Sequence, residues 1–204
     1  MHHNQSASFG DHAEVTWQTK GLRNEEVGVE GYYHVECRDK DGNLKWEETI
    51  PNLVVAVGKQ LMFDSFLSTS GTYSTVGPFI GLIDGSTTPT FSAADTMASH
   101  AGWTEFVNYT TGGNPVRGTA SFAAATSTGV SPANVTSKTA SAITYTITGI
   151  GGTVGGCFLV TGTGAVSTQN STAGTLYSAG AFGTFKVTTA GDTVAVSYST
   201  TAQS

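Results

Sequence analysis

Ala142-Ile143-Thr144-Tyr145-Thr146-Ile147-Thr148 decides the fold class. Apolar and hydroxyl side chains alternate at period 2, which predicts a strand with one face on a core and the other in water. Val194-Ala195-Val196-Ser197-Tyr198 repeats the pattern after the turn Ala190-Gly191-Asp192. Between them, Cys157-Phe158-Leu159-Val160 is a continuous apolar run, as expected of a central strand covered on both faces.

Working outward, short candidate strands cover 78–83, 103–109, 117–124, 140–148, 155–162, 174–180, 183–188 and 192–199, separated by Gly/Ser/Thr turns. That spacing suits sandwiches and jelly rolls, and no fixed repeat suggests a solenoid. Upstream, Tyr33, Val35 and Cys37 alternate with polar residues, and Asp39-Lys40-Asp41-Gly42-Asn43 supplies hairpin-turn chemistry before a return strand that ends at Pro51. Residues 52–67 predict a helix capped by Asn52, with Leu53, Val54, Val57 and Leu61 on its apolar face and Gly58 as a weak point. Residues 1–30 form a polar leader with isolated apolar side chains, among them Phe9, Trp17 and Leu22. The expectation is a mainly β chain, a β-sandwich or jelly-roll-like fold with one buried helix and an extended N-terminal arm. It divides into the arm (1–30), a β-rich core with hairpin and helix (31–125), and sandwich strands (126–204) that are open to being one domain with that core.

Charge separates two regimes. Of 204 residues, 9 are Lys or Arg and 15 are Asp or Glu; residues 1–64 hold 6 and 11 of these, and the remaining 140 residues hold only 3 and 4. The long C-terminal part solvates itself with Ser, Thr, Asn and Gly. So few scattered basic residues argue against a nucleic-acid partner. The absence of a long apolar run argues against a membrane span, and the N-terminus does not read as a secretory signal.

Few residues are candidates for chemistry. Asp39, Asp41 and Asn43 are spaced like the start of a calcium loop, but Gly42 comes too early and Ile50 occupies the position that needs a bidentate Glu. His2, His3, His12, His34 and His100 have no metal-ligand spacing, and no metal or other cofactor is expected. Cys37 and Cys157 lie on different expected strands and read as free buried thiols, with a disulfide between them left open because the sequence does not show how near they come. Asp84, Asp95 and Glu105 with His100 are the titratable cluster of the uncharged region. Two carboxylates there fit glycoside hydrolysis, whereas the structural reading makes Asp84 and Asp95 turn residues and pairs Glu105 with Arg117, the sole basic residue between Lys59 and Lys138. No nucleophile elbow is present, and no catalytic residue is assigned.

Phe79-Ile80-Gly81-Leu82-Ile83-Asp84-Gly85, followed by Ser92-Ala93-Ala94-Asp95-Thr96-Met97-Ala98-Ser99-His100-Ala101-Gly102-Trp103-Thr104-Glu105 and then Tyr109 and Arg117, resembles small virion proteins of tailed bacteriophages. The preceding segment opened by Asn52-Leu53-Val54-Val55, and the closing Gly191-Asp192-Thr193-Val194-Ala195-Val196-Ser197-Tyr198, are similar in style. The resemblance implies a capsid decoration (cement) protein first, and a head fibre, tail or neck component second.

The expected function is therefore a non-enzymatic structural protein on the virion's capsid surface. Its partners would be the major capsid protein and other copies of itself, as dimer or trimer, with Phe9, Trp17, Leu22, Trp103 and Tyr109 as interface residues. The alternative is a host-glycan-binding sandwich that uses Trp103, Tyr109 or Tyr177 as exposed stacking platforms. A glycan-degrading enzyme built on Asp84, Asp95 or Glu105 ranks third.

Overall fold

The computed structural model of the chain describes residues 28–67, 76–124, 126–130 and 133–203. Phe9, Trp17 and Leu22 lie outside them. In chain order the elements are β1 (Gly28–Arg38), β2 (Leu44–Pro51), β3 (Leu53–Val54), α1 (Ala56–Leu67), β4 (Phe79–Asp84), β5 (Glu105–Phe106), β6 (Tyr109–Thr110) and β7 (Gly118–Thr119). After these come β8 (Thr126–Val130), β9 (Ala133–Thr139), β10 (Ile143–Ile147), β11 (Gly152–Thr161), β12 (Thr175–Thr188) and β13 (Thr193–Gln203).

Two antiparallel sheets result. The seven-stranded sheet runs β2-β1-β13-β10-β6, with β9 on the second half of β13 and β8 on β9. The six-stranded sheet runs β3-β12-β11-β4-β5, with β7 also on β4. Strands from both ends of the chain interleave in both sheets. All 11 residues of β1 pair with all 11 of β13, from Gly28↔Gln203 to Arg38↔Thr193.

Period 2 explains the inner faces. Tyr33, Val35 and Cys37 of β1, Ile143, Tyr145 and Ile147 of β10, and Val194, Val196 and Tyr198 of β13 all point into one core with Ile80, Leu82, Cys157 and Leu159 of the opposite sheet. Two hydroxyls stitch the layers together: Tyr145 donates to the Ile80 carbonyl at 2.7 Å, and Tyr33 lies 2.8 Å from the Ser178 hydroxyl.

The six-stranded sheet is covered on its outer face as well. A second cluster there joins Val55, Ile83, Met97, Trp103, Phe158 and Val160. Thus Cys157 and Leu159 face one layer, Phe158 and Val160 the other, and the apolar run on β11 has the central place expected of it.

The hairpin forms as expected. Asp39 accepts the N–H groups of Asp41 and Asn43 at 2.8 and 2.9 Å, and Gly42 takes the left-handed φ of 87° that the turn requires. Its carboxylate is thereby held below the usual range, first by the Asn43 side chain. Strand β1 starts at Gly28, so the last three residues of the expected arm, 28–30, are already paired.

Several boundaries differ from expectation. The helix begins at Ala56, because Leu53 and Val54 pair with β12 (Val54↔Ser178, Leu53↔Ala179) before the chain turns. Asn52 is no cap; its amide donates to the Tyr198 hydroxyl at 3.0 Å. One helix face docks, through Gly58 and Leu61, while Phe63 and Leu67 are exposed. The expected strands 174–180 and 183–188 are one strand, which lifts away from β11 around Gly183 and bonds Glu48 instead. The expected strand 103–109 splits into β5 and β6, one in each sheet. The β8–β9 hairpin, poor in apolar residues, has no counterpart among the expected strands.

Candidate functional site

The site grows out of the β4 edge. Both β5 and β7 pair with β4, through Ile83↔Glu105 and Ile80↔Gly118, so Glu105 and Arg117 arrive side by side although 12 residues apart. Gly81 lies between them. A Cβ there would sit 2.4 Å from the Phe158 ring and 3.1 Å from Oε1 of Glu105, so only glycine leaves room for the ring.

The expected ion pair forms, and it is buried: the side chains of Arg117 and Glu105 are 1% and 4% exposed. Nη2 of Arg117 donates to Oε2 at 2.7 Å and Nε to Oε1 at 3.0 Å. The guanidinium stacks over Phe158, 5.0 Å from the ring centre. Burying two charges is costly unless their remaining valences are met. Here they are met by the 166–172 loop: Nη2 donates to the Ser171 carbonyl at 2.8 Å, and the Asn170 N–H donates to Oε2 at 2.7 Å. Asn170 adopts φ 58°, the left-handed conformation that asparagine tolerates, which aims its N–H inward. Tyr109 donates to Oε1 at 3.3 Å; burial first, then the Glu105 charge, raises its phenol far above the ordinary value.

Beside the pair lies a cleft of about 160 Å³, walled by Met97, Trp103, Phe158, Asn170 and Thr172. His100 stacks on Trp103 with ring centres 3.9 Å apart and planes 20° from parallel, and its Nδ1 is 3.0 Å from the Trp103 carbonyl. Phe158 packs on the same indole at 5.0 Å. The indole Nε1 is buried with no hydrogen-bond partner.

The expected acidic cluster separates. Asp84 accepts the Ser86 N–H at 2.6 Å, and Asp95 accepts the Ser92 N–H at 3.1 Å, so each holds its own turn. Glu105 and His100 share the cleft; Asp84 and Asp95 are not on its wall. Glu105 already accepts bonds from Arg117, Tyr109 and Asn170, which makes it a structural anchor.

Trp103 and Tyr109, expected as interface aromatics, are 4% and 1% exposed and belong to the two cores. Trp103 lies just before β5, which pairs with β4, while Tyr109 opens β6, which pairs with β10 (Ile147↔Tyr109). Tyr177 is half-buried, edge-on to Tyr198 at 6.4 Å, and is likewise no open platform. Cys37 and Cys157 are free and buried, as expected.

The sequence reading missed the His100–Trp103 stack, the anchoring role of Asn170 and the cradle that Gly81 makes for Phe158. An Asn beside Ser and Thr in a loop signals a left-handed turn, and that signal was present at Asn170. Comparison of the chain with protein-family models, with curated proteins and with solved structures finds no match in any of the three.

Proposed function

We propose that the chain is a non-enzymatic structural protein of a tailed-bacteriophage virion, which binds the capsid exterior and stabilises it. The observation that carries this reading is the way the leader joins the fold. In sequence it precedes β1, which is paired on both sides, with β2 and along its full length with β13. A pull on the leader loads two ladders of backbone hydrogen bonds in shear, so a leader bound to a capsid would be anchored in the middle of a sheet. Long-range pairing of the first and last strands gives the rigid body that such an anchor needs.

Three further features support the reading. The stretch from Phe79 to Arg117 that resembles small virion proteins carries both partners of the buried Glu105–Arg117 pair, and their hydrogen bonds make that cluster structural. The low-charge Ser/Thr/Gly surface suits wet, polar interfaces repeated over many copies. Ile150 and Val187, 95% and 65% exposed, are apolar side chains available to a neighbouring subunit. In this reading the partners are the major capsid protein and further copies of the chain.

The test is co-sedimentation of the full chain with empty heads of the virus that carries its coding sequence. Saturable binding at a fixed copy number supports the proposal, and no binding rejects it. A truncation must stop at residue 27, because Gly28–Glu30 pair with Thr201–Gln203.

A further inference from the structure

The second half of β12 is a sheet edge. The strand pairs with β11 on one side, but on the other β3 covers only Ser178 and Ala179. From Thr184 to Thr188 that outer side carries no strand among the described residues. The direction of its backbone groups follows from β11. The Thr153 carbonyl accepts the Gly85 N–H at 2.9 Å, so Thr153 turns its backbone groups toward β4 and away from β12. Val187, opposite Thr153, is then a non-hydrogen-bonded partner, and its own N–H and C=O point to the open edge. The Gly183 N–H also leaves β11 and donates to Glu48 at 2.9 Å. By period 2, Phe185 between them faces the edge as well.

Exposed edges are ordinarily guarded by a charge or a proline. The edge strand of the other sheet, β2, has Glu47 and Pro51 in that role. Thr184-Phe185-Lys186-Val187-Thr188 has one charge, and it is turned inward. Nζ of Lys186 lies 2.7 Å from Glu48 and over the rings of Trp46 and Phe182, and the side chain is 17% exposed. Phe185 and Val187 take the opposite face and are 41% and 65% exposed. Ile150 lengthens the apolar strip, because its neighbour Gly151 lies against the Thr188 carbonyl.

The pattern selects the occupant. Thr-Phe-Lys-Val-Thr reads Thr-apolar-Lys-apolar-Thr in both directions. An antiparallel copy, related by a two-fold axis at Lys186, sets Phe185 opposite Val187 of the second copy on each side of the axis. Such aromatic and β-branched pairs are favourable across strands. The same register brings the edge-facing groups of Phe185 and Val187 into hydrogen-bonded pairs. Lys186 meets its own copy, but each ammonium already has its Glu48, so no charge is left unpaired. We infer that the chain associates with a second copy of itself through antiparallel pairing of Thr184–Thr188, which joins two six-stranded sheets into one. So short a contact is small against the roughly 20–30 residues a side of a standard interface, which makes the dimer weak, with Kd on the order of 100 µM. Copies held together on one surface would gain from it through effective concentration. Of the capsid reading, the inference rests only on the part that makes further copies partners.

The experiment is sedimentation equilibrium of the full chain alone from about 10 µM to about 1 mM, a range that brackets that Kd. The average mass should rise from one chain toward two and level off there. Phe185→Lys restores the missing guard charge on an exposed side chain, and Val187→Pro removes an edge-facing N–H at a position where an edge strand tolerates proline. Each should weaken the dimer at least tenfold at the parent's melting temperature; if the proline variant does not fold, the lysine variant carries the test. The register is read by oxidation. Lys186→Cys places two sulfurs on the axis, with Cα atoms about 4.5 Å apart, and should cross-link; Phe185→Cys places them about 7–8 Å apart across the diagonal and should not. The inference is overturned if the chain stays monomeric throughout, if mass grows past two copies without a plateau, if the folded variants dimerise as well as the parent, or if Phe185→Cys cross-links as readily as Lys186→Cys. Because no heads are present, none of these results bears on capsid binding, which the co-sedimentation experiment decides separately.

Discussion

Arg117 and Glu105 meet at two points, Nη2 to Oε2 at 2.7 Å and Nε to Oε1 at 3.0 Å, with both side chains out of water. The pair joins β5 to the segment entering β7, and it clamps the 166–172 loop through Ser171 and Asn170. Removing one partner strands a buried charge, which costs about 3–5 kcal/mol. Arg117→Met should therefore lose that much stability in urea denaturation. The double variant with Glu105→Gln should lose less than the sum of the two single changes, because no charge is left unpaired. A loss below about 1 kcal/mol for Arg117→Met, the range of a surface pair, would show that the pair is not a clamp.

A second buried carboxylate makes the fold acid-sensitive. Asp192 accepts from Lys45 at 2.5 Å and from the N–H and hydroxyl of Thr189 at 2.8 and 3.1 Å. Burial pushes its pKa up, but those donors outweigh it, and the carboxyl titrates below its usual value. The folded state thus favours the charged form. Its contribution is complete above the ordinary Asp pKa of about 3.9 and is lost as pH falls through the lower folded value. Asp192→Asn should lower stability at neutral pH and shrink the further loss between about pH 4 and pH 2. A variant whose urea midpoint falls as steeply with acid as the parent's would contradict this.

Gly58 sets two effects against each other. Alanine would favour the helix by about 1 kcal/mol. A Cβ at position 58 would lie 2.4 Å from the Tyr177 carbonyl oxygen, which is backbone of β12 and cannot swing aside. Steric cost should win, so Gly58→Ala should destabilise by about 1–3 kcal/mol. An unchanged or higher melting temperature would mean that the helix does not dock as closely as described.

The thiols should be silent in the native protein. Burial, then the Asp192 charge, pushes Cys37 up to about 11, and burial alone pushes Cys157 higher. At neutral pH neither forms the reactive thiolate to any useful extent. A disulfide-exchange reagent should label both only at the rate of global unfolding; fast labelling of either would contradict their placement in the core.

Much of this fold was legible in the chain. Alternation at Ile143–Ile147 and Val194–Tyr198, the Asp39–Asn43 turn and the apolar run at Cys157 each describe a local condition that the tertiary structure keeps. The Glu105–Arg117 pair was legible for a different reason: few charges exist in that region, so each had few partners to choose from. What escaped depends on distant backbone. Asn52 has capping chemistry, yet β12 offers Leu53 and Val54 a ladder, and pairing outcompeted the cap. Trp103 and Tyr109 are residue types that serve interfaces and cores equally well. The pairing of β5 with β4 decides for Trp103 and that of β6 with β10 for Tyr109, and no local pattern around either residue reports those registers.

The most direct test of capsid binding keeps the chain length and changes only the leader. Phe9, Trp17 and Leu22 are replaced together by Ser in the full chain, and parent and variant are incubated with empty heads of the phage proposed to carry the coding sequence. We expect the parent to co-sediment to saturation at a fixed copy number, and the variant to keep its melting temperature while losing most of that binding. Failure of the parent to bind, or equal binding by parent and variant, would contradict a leader-anchored decoration protein.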